Sequence, residues 1–311
     1  MPIRNYQPGD EAAQVRIYNT MAATLPAFKP ATCDEVERRY RTVDPDPAAK
    51  FYAVEDGEVV GYAVFNPNGR ISYPWCRKGH EGQAGPLFER VLAEMRRRGL
   101  PRAFAAYRAD WPAQKEFFLA QGFQPAREMV NYALDLAEMP TPSARPSNAV
   151  SPLTPADVPA VLALGQGVVR ARDEAELRRH LFENPFFPPD AAFALRGAKG
   201  EVRAAAVLVV DAGYADPRQT DPAMPCFRLG AFGTEGLTTK RVNGLFSFVA
   251  ADKSDLKPLG LDLLGYAAFR LRDTDVETFG AQAPSDAPHL VRFYKEYFRR
   301  QGAFPVFEKA L

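Results

Sequence analysis

Apolar positions recur along this chain at helical and strand spacings, and the two spacings alternate in the same order twice. Near the start, IRNYQPGDEAAQVRIYN predicts a short strand, a turn at Pro8 and Asp10, and an amphipathic helix. VSPLTPADVPAVLAL predicts the same series around Pro155 and Asp157. At each turn the Asp is a good N-cap, its carboxylate accepting from unpaired N–H groups of the first helical turn. FYAVEDGEVVGYAVF (51–65) alternates on both sides of an Asp-Gly pair, which predicts a hairpin. FALRGAKGEVRAAAVLVV (193–210) is its counterpart, with Gly200-Glu201-Val202 matching Gly57-Glu58-Val59. Helical stretches follow in PLFERVLAEMRRRG (86–99) and LGLDLLGYAAFRLRD (259–273). Each half then shows a strand (RAFAAYRAD, ETFGAQAPSD), an aromatic-rich helix (AQKEFFLAQGF, HLVRFYKEYFRRQGAF) and a last strand (REMVNYALDL, FPVFEKAL).

The order is one α/β unit, written twice. EMPTPSARPSN (138–148), with three prolines and small polar residues, separates the copies. The expected division is a first domain at 1–138, a linker at 139–148 and a second domain at 149–311. Matched points drift apart along the chain, which places insertions in the second copy at 214–225 and 250–258.

Composition adds exclusions. Of 311 residues, 46% are hydrophobic and 25% charged, which suits an ordinary soluble protein with a sizeable core. A net charge of +1 argues against a nucleic-acid partner. Cys33, Cys76 and Cys226 are scattered, which points to neither a disulfide framework nor a metal site. No apolar run approaches the roughly 18 residues of a membrane span, and the N-terminus lacks the apolar segment of a signal peptide. A cytoplasmic protein without membrane partners, monomeric or homodimeric, is expected.

Two motifs give this pattern a family likeness. Arg241-Val242-Asn243-Gly244-Leu245-Phe246 in the second half is similar to an acyl-CoA signature, Gln/Arg-x-x-Gly-x-Gly/Ala, at the start of the helix after the fourth strand. Phe246 departs from it, standing where Gly or Ala is expected. The first half has Gly79-His80-Glu81-Gly82-Gln83-Ala84, preceded by Pro74-x-x-Arg77, without the leading Arg or Gln. The second motif is Asp110 … Phe118 … Gly122-Phe123 in the first half, and Asp286 … Tyr294 at the same spacing in the second. The chain thereby resembles, over essentially its whole length, a tandem pair of GNAT (GCN5-related N-acetyltransferase) domains. That resemblance implies two mixed, mostly antiparallel sheets flanked by helices, and transfer of an acetyl group from acetyl-CoA to an amine.

The resemblance also implies roles. A helix N-terminus offers unpaired N–H groups and a positive dipole end to the pyrophosphate of CoA. Arg241 and Gly244 fit that site, flanked by Lys240, Val242, Asn243 and Phe246. The alternative is a plain strand-to-helix corner with two solvated cations. In the first half, Gly82 and Ala84 hold the matching small positions, with Gly79, Gly85, Arg77, Lys78 and His80 around them. That turn either binds CoA or is a relic in a supporting domain. A backbone N–H near Leu237 would polarise the thioester carbonyl.

Tyr294 is the implied proton donor to the departing thiolate, with Tyr297 as fallback, while Phe118 has no hydroxyl. The alternative is that Tyr294, with Phe293, Tyr297 and Phe298, is aromatic core with its hydroxyl satisfied locally. Glu235 is the candidate general base or an exposed strand end, and His289 is a further candidate. The second half is thus the expected catalytic domain. The alternatives are catalysis in the first half, or a non-catalytic pair that binds CoA or a protein. The acceptor is an amine on a small molecule or peptide that the sequence does not identify.

Overall fold

The computed structural model describes the chain apart from residues 1, 27, 29, 41–45, 140–148, 167, 170, 172, 212–243 and 251–255, with Arg38 and Arg39 described by backbone alone. The architecture is mixed α/β, and the chain divides into two compact units: residues 1–127 with 304–311, and residues 128–303.

In the first unit, β1 (Ile3–Asn5), β2 (Lys50–Glu55), β3 (Glu58–Val64) and β4 (Trp75–Cys76) form an antiparallel sheet in chain order. The β2–β3 hairpin turns on Asp56 and Gly57, both at positive φ (50° and 82°), as the Asp-Gly pair predicts. Helices α1 (Asp10–Ala22) and α2 (Cys33–Tyr40) precede the hairpin. After β4 come α3 (Ala84–Arg97), β5 (Arg102–Ala106) and α4 (Pro112–Ala120). Leu87, Phe88, Val91, Leu92 and Met95 recur at helical spacing on α3 and are fully buried in the core that covers one sheet face.

The chain continues into β6 (Gln124–Asp135). In the second copy the series repeats as β7 (Val150–Pro152), α5 (Val158–Leu164), α6 (Glu174–Phe182), β8 (Ala192–Arg196), β9 (Val202–Val209), β10 (Gly244–Ala250), α7 (Leu256–Leu271), β11 (Thr278–Pro284), α8 (Pro288–Tyr297) and β12 (Arg299–Ala310). The strand order in the second unit is β6-β11-β10-β9-β8-β7.

Each copy's last strand serves the other unit. Met129–Asp135 of β6 pairs antiparallel with Thr278–Pro284 of β11. Val306–Ala310 of β12 pairs with Arg102–Ala106 of β5. Phe307 thereby enters the first unit's core, and Tyr132 the second's. Either half expressed without the other would lack the strand that completes its sheet.

Three local expectations need correction. Residues 244–250 are not the start of a helix: GLFSFVA is β10, paired along its length with β9, and α7 begins only at Leu256. Residues 250–258 are therefore no insertion; they run from the end of the fourth strand into the helix after it. Neither turn Asp caps its helix through its side chain: Asp157 holds the N-cap position of α5 without a side-chain cap bond, and Asp10 stands one residue inside α1. Gly9 holds the N-cap of α1 at φ 101°, and Asp10 accepts backward from the Gln7 N–H (2.7 Å) and from Arg4. Asp157 likewise accepts from the Thr154 N–H at 2.8 Å, while Arg196 grips both its oxygens. In both copies the carboxylate ties the turn back to a neighbouring strand.

Candidate functional site

Both units contain a place where two parallel neighbours start to pair and then part. In the first unit, Phe104 N–H donates to Gly69 O and Ile71 N–H to Phe104 O, each at 2.9 Å, which makes the rung Arg70↔Phe104. Beyond it, Trp75 and Cys76 pair only with β3. In the second unit β10 and β11 share the rungs Gly244↔Phe279 and Leu245↔Gly280, and no later ones. A backbone N–H facing such a gap has lost its strand partner and needs another.

That N–H has a phenol partner in each unit. Three residues past the rung in the first unit, Tyr73 N–H donates to the Tyr107 hydroxyl at 2.5 Å. Three residues past Leu245, Phe248 makes a backbone hydrogen bond to the Tyr294 hydroxyl. Counting from the rungs makes Tyr73 and Phe248 equivalent, and Tyr107 equivalent to Ala283. Spacing from Asp110 and Asp286 makes Phe118 equivalent to Tyr294. The two hydroxyls therefore reach the same kind of N–H from different positions: the end of β5 in one unit, helix α8 in the other. The Tyr107 ring stacks on Phe118, with centroids 5.7 Å apart.

The surroundings differ. Tyr107 and Tyr73 are partly exposed. Burial pushes the Tyr107 phenol up to about 12, against a smaller downward pull from the Tyr73 N–H. Tyr294 is 1% exposed, stacked on Tyr132 at 5.4 Å and edge-on to Phe248, Phe293 and Phe298. Burial pushes its phenol further up. The Tyr132 hydroxyl beside it is buried without a hydrogen-bond partner among the described residues. Gly260 of α7 closes the lid: a Cβ there would lie 2.7 Å from both the Phe248 and the Phe293 rings. Tyr297 sits apart from this stack's centre, against Phe293, with the Lys257 ammonium 5.7 Å over its ring.

The strand-to-helix junctions also differ. In the first unit, Arg77-Lys78-Gly79-His80 follows β4, a single 3-10 turn spans Glu81–Gln83, and Ala84 opens α3. Around Gly79, Gly82 and Gly85 there is open space, with no atom within 4 Å of a would-be Cβ. The loop's charges are occupied internally. Glu81 accepts the Gly79 N–H at 3.0 Å, Arg77 pairs with Glu58 at 2.9 Å, and His80 bonds Glu55 at 2.6 Å. Its own N–H and that of Gly79 hold the Glu81 carboxyl below its usual range. Gly82 lies within the 3-10 turn, and Ala84 is the first residue of α3.

In the second unit the junction is 251–255, outside the described residues. Glu235, Leu237, Lys240, Arg241, Val242 and Asn243 lie outside them too. Gly244 and Phe246 are described, and they are not at a helix N-terminus. Gly244 begins β10 at the end away from α7, where a Cβ would meet Phe279 and Val276 at 2.9 Å. Phe246 is 1% exposed and stacks on Phe248 and Phe279. Close packing explains both residues, and the signature over 241–246 loses its helix. His289 lies in the first turn of α8, partly buried. Sequence reasoning missed Tyr107 and Tyr73 because neither belongs to a spaced motif; the pairing register reveals them.

No family model and no curated protein matches the sequence. Solved structures do match. A GCN5-related N-acetyltransferase from Sphaerobacter thermophilus is 15% identical, with a TM-score of 0.63 over 99% of this chain and 95% of that one. A tandem GNAT protein from the clavulanic acid biosynthesis pathway is 13% identical, with a TM-score of 0.55 over 99% and 98% of the two chains. The chain has the GNAT fold, in tandem. A GCN5-related glucosamine N-acetyltransferase region of a fungal multi-domain GH3 β-N-acetylglucosaminidase also aligns, at 13% identity and TM-score 0.68, over 99% of this chain and 38% of that one. Parted strands followed in sequence by a helix are thus present in both GNAT-like copies. Among the described residues no helix is long and apolar enough to cross a membrane, and no His/Cys/Asp/Glu cluster is placed to hold a metal ion.

Proposed function

We propose that the protein is an acetyl-CoA-dependent N-acetyltransferase whose working site is in the first unit. The observation that carries this reading is the gap beyond the Arg70↔Phe104 rung: partly exposed, supplied with an N–H and a hydroxyl, and followed by an open turn at the head of α3. In this reading the pyrophosphate of acetyl-CoA binds the 77–85 turn. There the N–H groups of Gly79 and Glu81 exchange the Glu81 carboxylate for phosphate oxygens, and Arg77 and Lys78 supply positive charge. The thioester enters the gap beside Tyr73 and the Tyr107 hydroxyl that accepts the Tyr73 N–H. The acceptor is an amine on a small molecule or peptide. The turn suits the donor because it leaves room for phosphate oxygens to approach backbone, which side chains larger than glycine would obstruct.

A second reading keeps catalysis in the second unit, supported by the Tyr294 hydroxyl on the Phe248 N–H. Tyr294 is then the acid and Glu235, which lies outside the described residues, the base. The sealed aromatic stack around Tyr294 favours the first unit. A non-catalytic pair would bind the same donor and transfer nothing.

Thermal denaturation with acetyl-CoA tests the assignment. At a hundredfold excess over Kd, binding to the native state adds about 2.7 kcal/mol of stability, a shift of several degrees. Arg77→Glu should remove that shift while lowering the ligand-free melting temperature only slightly, since the Arg77–Glu58 pair it breaks is exposed. A shift that survives Arg77→Glu moves the donor site to the second unit, and no shift in the wild type rejects both enzyme readings.

A further inference from the structure

If the first unit is the working one, its acid is missing from the place where the second unit carries a tyrosine, since Phe118 stands at the position of Tyr294. The missing hydroxyl is present nonetheless, brought in by Tyr107 from the end of β5. The Phe118 ring lies stacked beneath it at an interplanar angle of 23°. Hydroxyl and ring are divided between two residues in one unit and combined in a single residue in the other. In both, the oxygen accepts from the equivalent N–H, that of Tyr73 or Phe248. An oxygen that accepts this N–H keeps its own hydrogen free to donate. It also holds a bond that strengthens when the oxygen becomes negative.

We propose that Tyr107 is the catalytic acid of the first unit, donating its phenolic proton to the sulfur that leaves the thioester. This rests on the reading of the first unit given above. The acceptor nitrogen forms a bond to the acyl carbon as the carbon–sulfur bond breaks. Sulfur takes the Tyr107 proton, and the Tyr73 N–H stabilises the phenolate left behind. The surplus proton on the new amide nitrogen returns to Tyr107 through solvent, so the products are the amide and the free thiol. Burial keeps the phenol protonated until charge develops on the neighbouring sulfur.

The test uses the full chain, with release of CoA from acetyl-CoA followed by chromatography and water as the acceptor. Tyr107→Phe should slow release at least about tenfold, with the acetyl-CoA thermal shift unchanged. The double variant Tyr107→Phe/Phe118→Tyr should recover most of the rate, because a helix-borne hydroxyl already reaches the equivalent N–H in the second unit. A readout independent of turnover is the Tyr73 amide resonance in ¹⁵N-tyrosine-labelled protein. It should move in Tyr107→Phe and return toward its original position in the double variant. Wild-type release by Tyr107→Phe overturns the proposal, as does a Tyr73 resonance that ignores both substitutions. Loss of the acetyl-CoA thermal shift in the wild type would instead reject the underlying reading, and this inference with it.

Discussion

The two units place one backbone N–H and one phenol oxygen in the same relation, yet they enclose them differently. In the first unit the pair Tyr73 and Tyr107 is partly exposed, and the turn into α3 has empty space around three glycines. In the second, Phe248 and Tyr294 are at or below 1% exposure, under Tyr132, Phe293 and a glycine that a methyl group would jam. A shared fold therefore preserves the hydrogen bond without preserving access. Where a duplicated fold keeps one gap open and fills the other with rings, the filled copy gains packing and the open copy keeps room for a substrate. The filled gap buries several aromatic side chains, each worth about 1.5–3 kcal/mol when fully removed from water.

The comparison breaks most drastically if the units are separated. Expressing 1–138 alone removes the β12 strand that pairs with β5, and expressing 149–311 alone removes the β6 strand that pairs with β11. Neither piece should show cooperative unfolding by circular dichroism, whereas the two co-expressed should recover it. A cooperative transition for either piece alone would contradict the strand exchange.

Next in size is the contrast between packed and open glycines. Gly260→Val forces atoms into the Phe248 and Phe293 rings and should cost about 1–3 kcal/mol, as overpacked cores do. Gly82→Ala, in open space, should change stability by less than about 0.5 kcal/mol while weakening acetyl-CoA binding severalfold. Equal losses of stability from the two would dissolve the contrast. Smaller still is Tyr294→Phe, which leaves the Phe248 N–H without its acceptor. A loss of about 1–2 kcal/mol in denaturant unfolding is expected, with the rate of CoA release preserved; a collapse in that rate would transfer catalysis to the second unit.

The smallest effect is common to both units. Arg97 and Arg98 hold the Glu94 carboxyl down at about 2, and Arg196 does the same for Asp157. A carboxyl depressed in the folded state stabilises fully above its unfolded value, and the gain is lost as pH falls through the folded one. Stability should therefore decline between about pH 4.5 and pH 2. The decline should be modest, because these pairs are close to solvent. Arg196→Gln should flatten part of the decline.

Much of the fold was written in periodicity. The hairpins announced themselves through Asp56-Gly57 and Gly200, and the paired helices through buried positions at helical spacing. The exchange of last strands was not legible, because REMVNYALDL and FPVFEKAL carry the same alternation whichever sheet receives them. The fourth strand of the second unit was misplaced for a related reason. GLFSFVA is a short continuous apolar run, which periodicity cannot assign to strand or helix, and the cations before it imitated a phosphate signature. In the first unit, by contrast, Gly82 and Ala84 fell where the turn and α3 begin. Tyr107 carried no sequence signal, since its meaning depends on a gap between strands that no spacing along the chain records.

The central claim is that the donor's thioester enters the first unit's gap, and a structure of the full chain with acetyl-CoA tests it most directly. The account predicts the pyrophosphate against residues 77–85 and the thioester within hydrogen-bonding reach of Tyr73 and Tyr107. Acetyl-CoA bound instead in the second unit, with its thioester beside Phe248 and Tyr294, would contradict it.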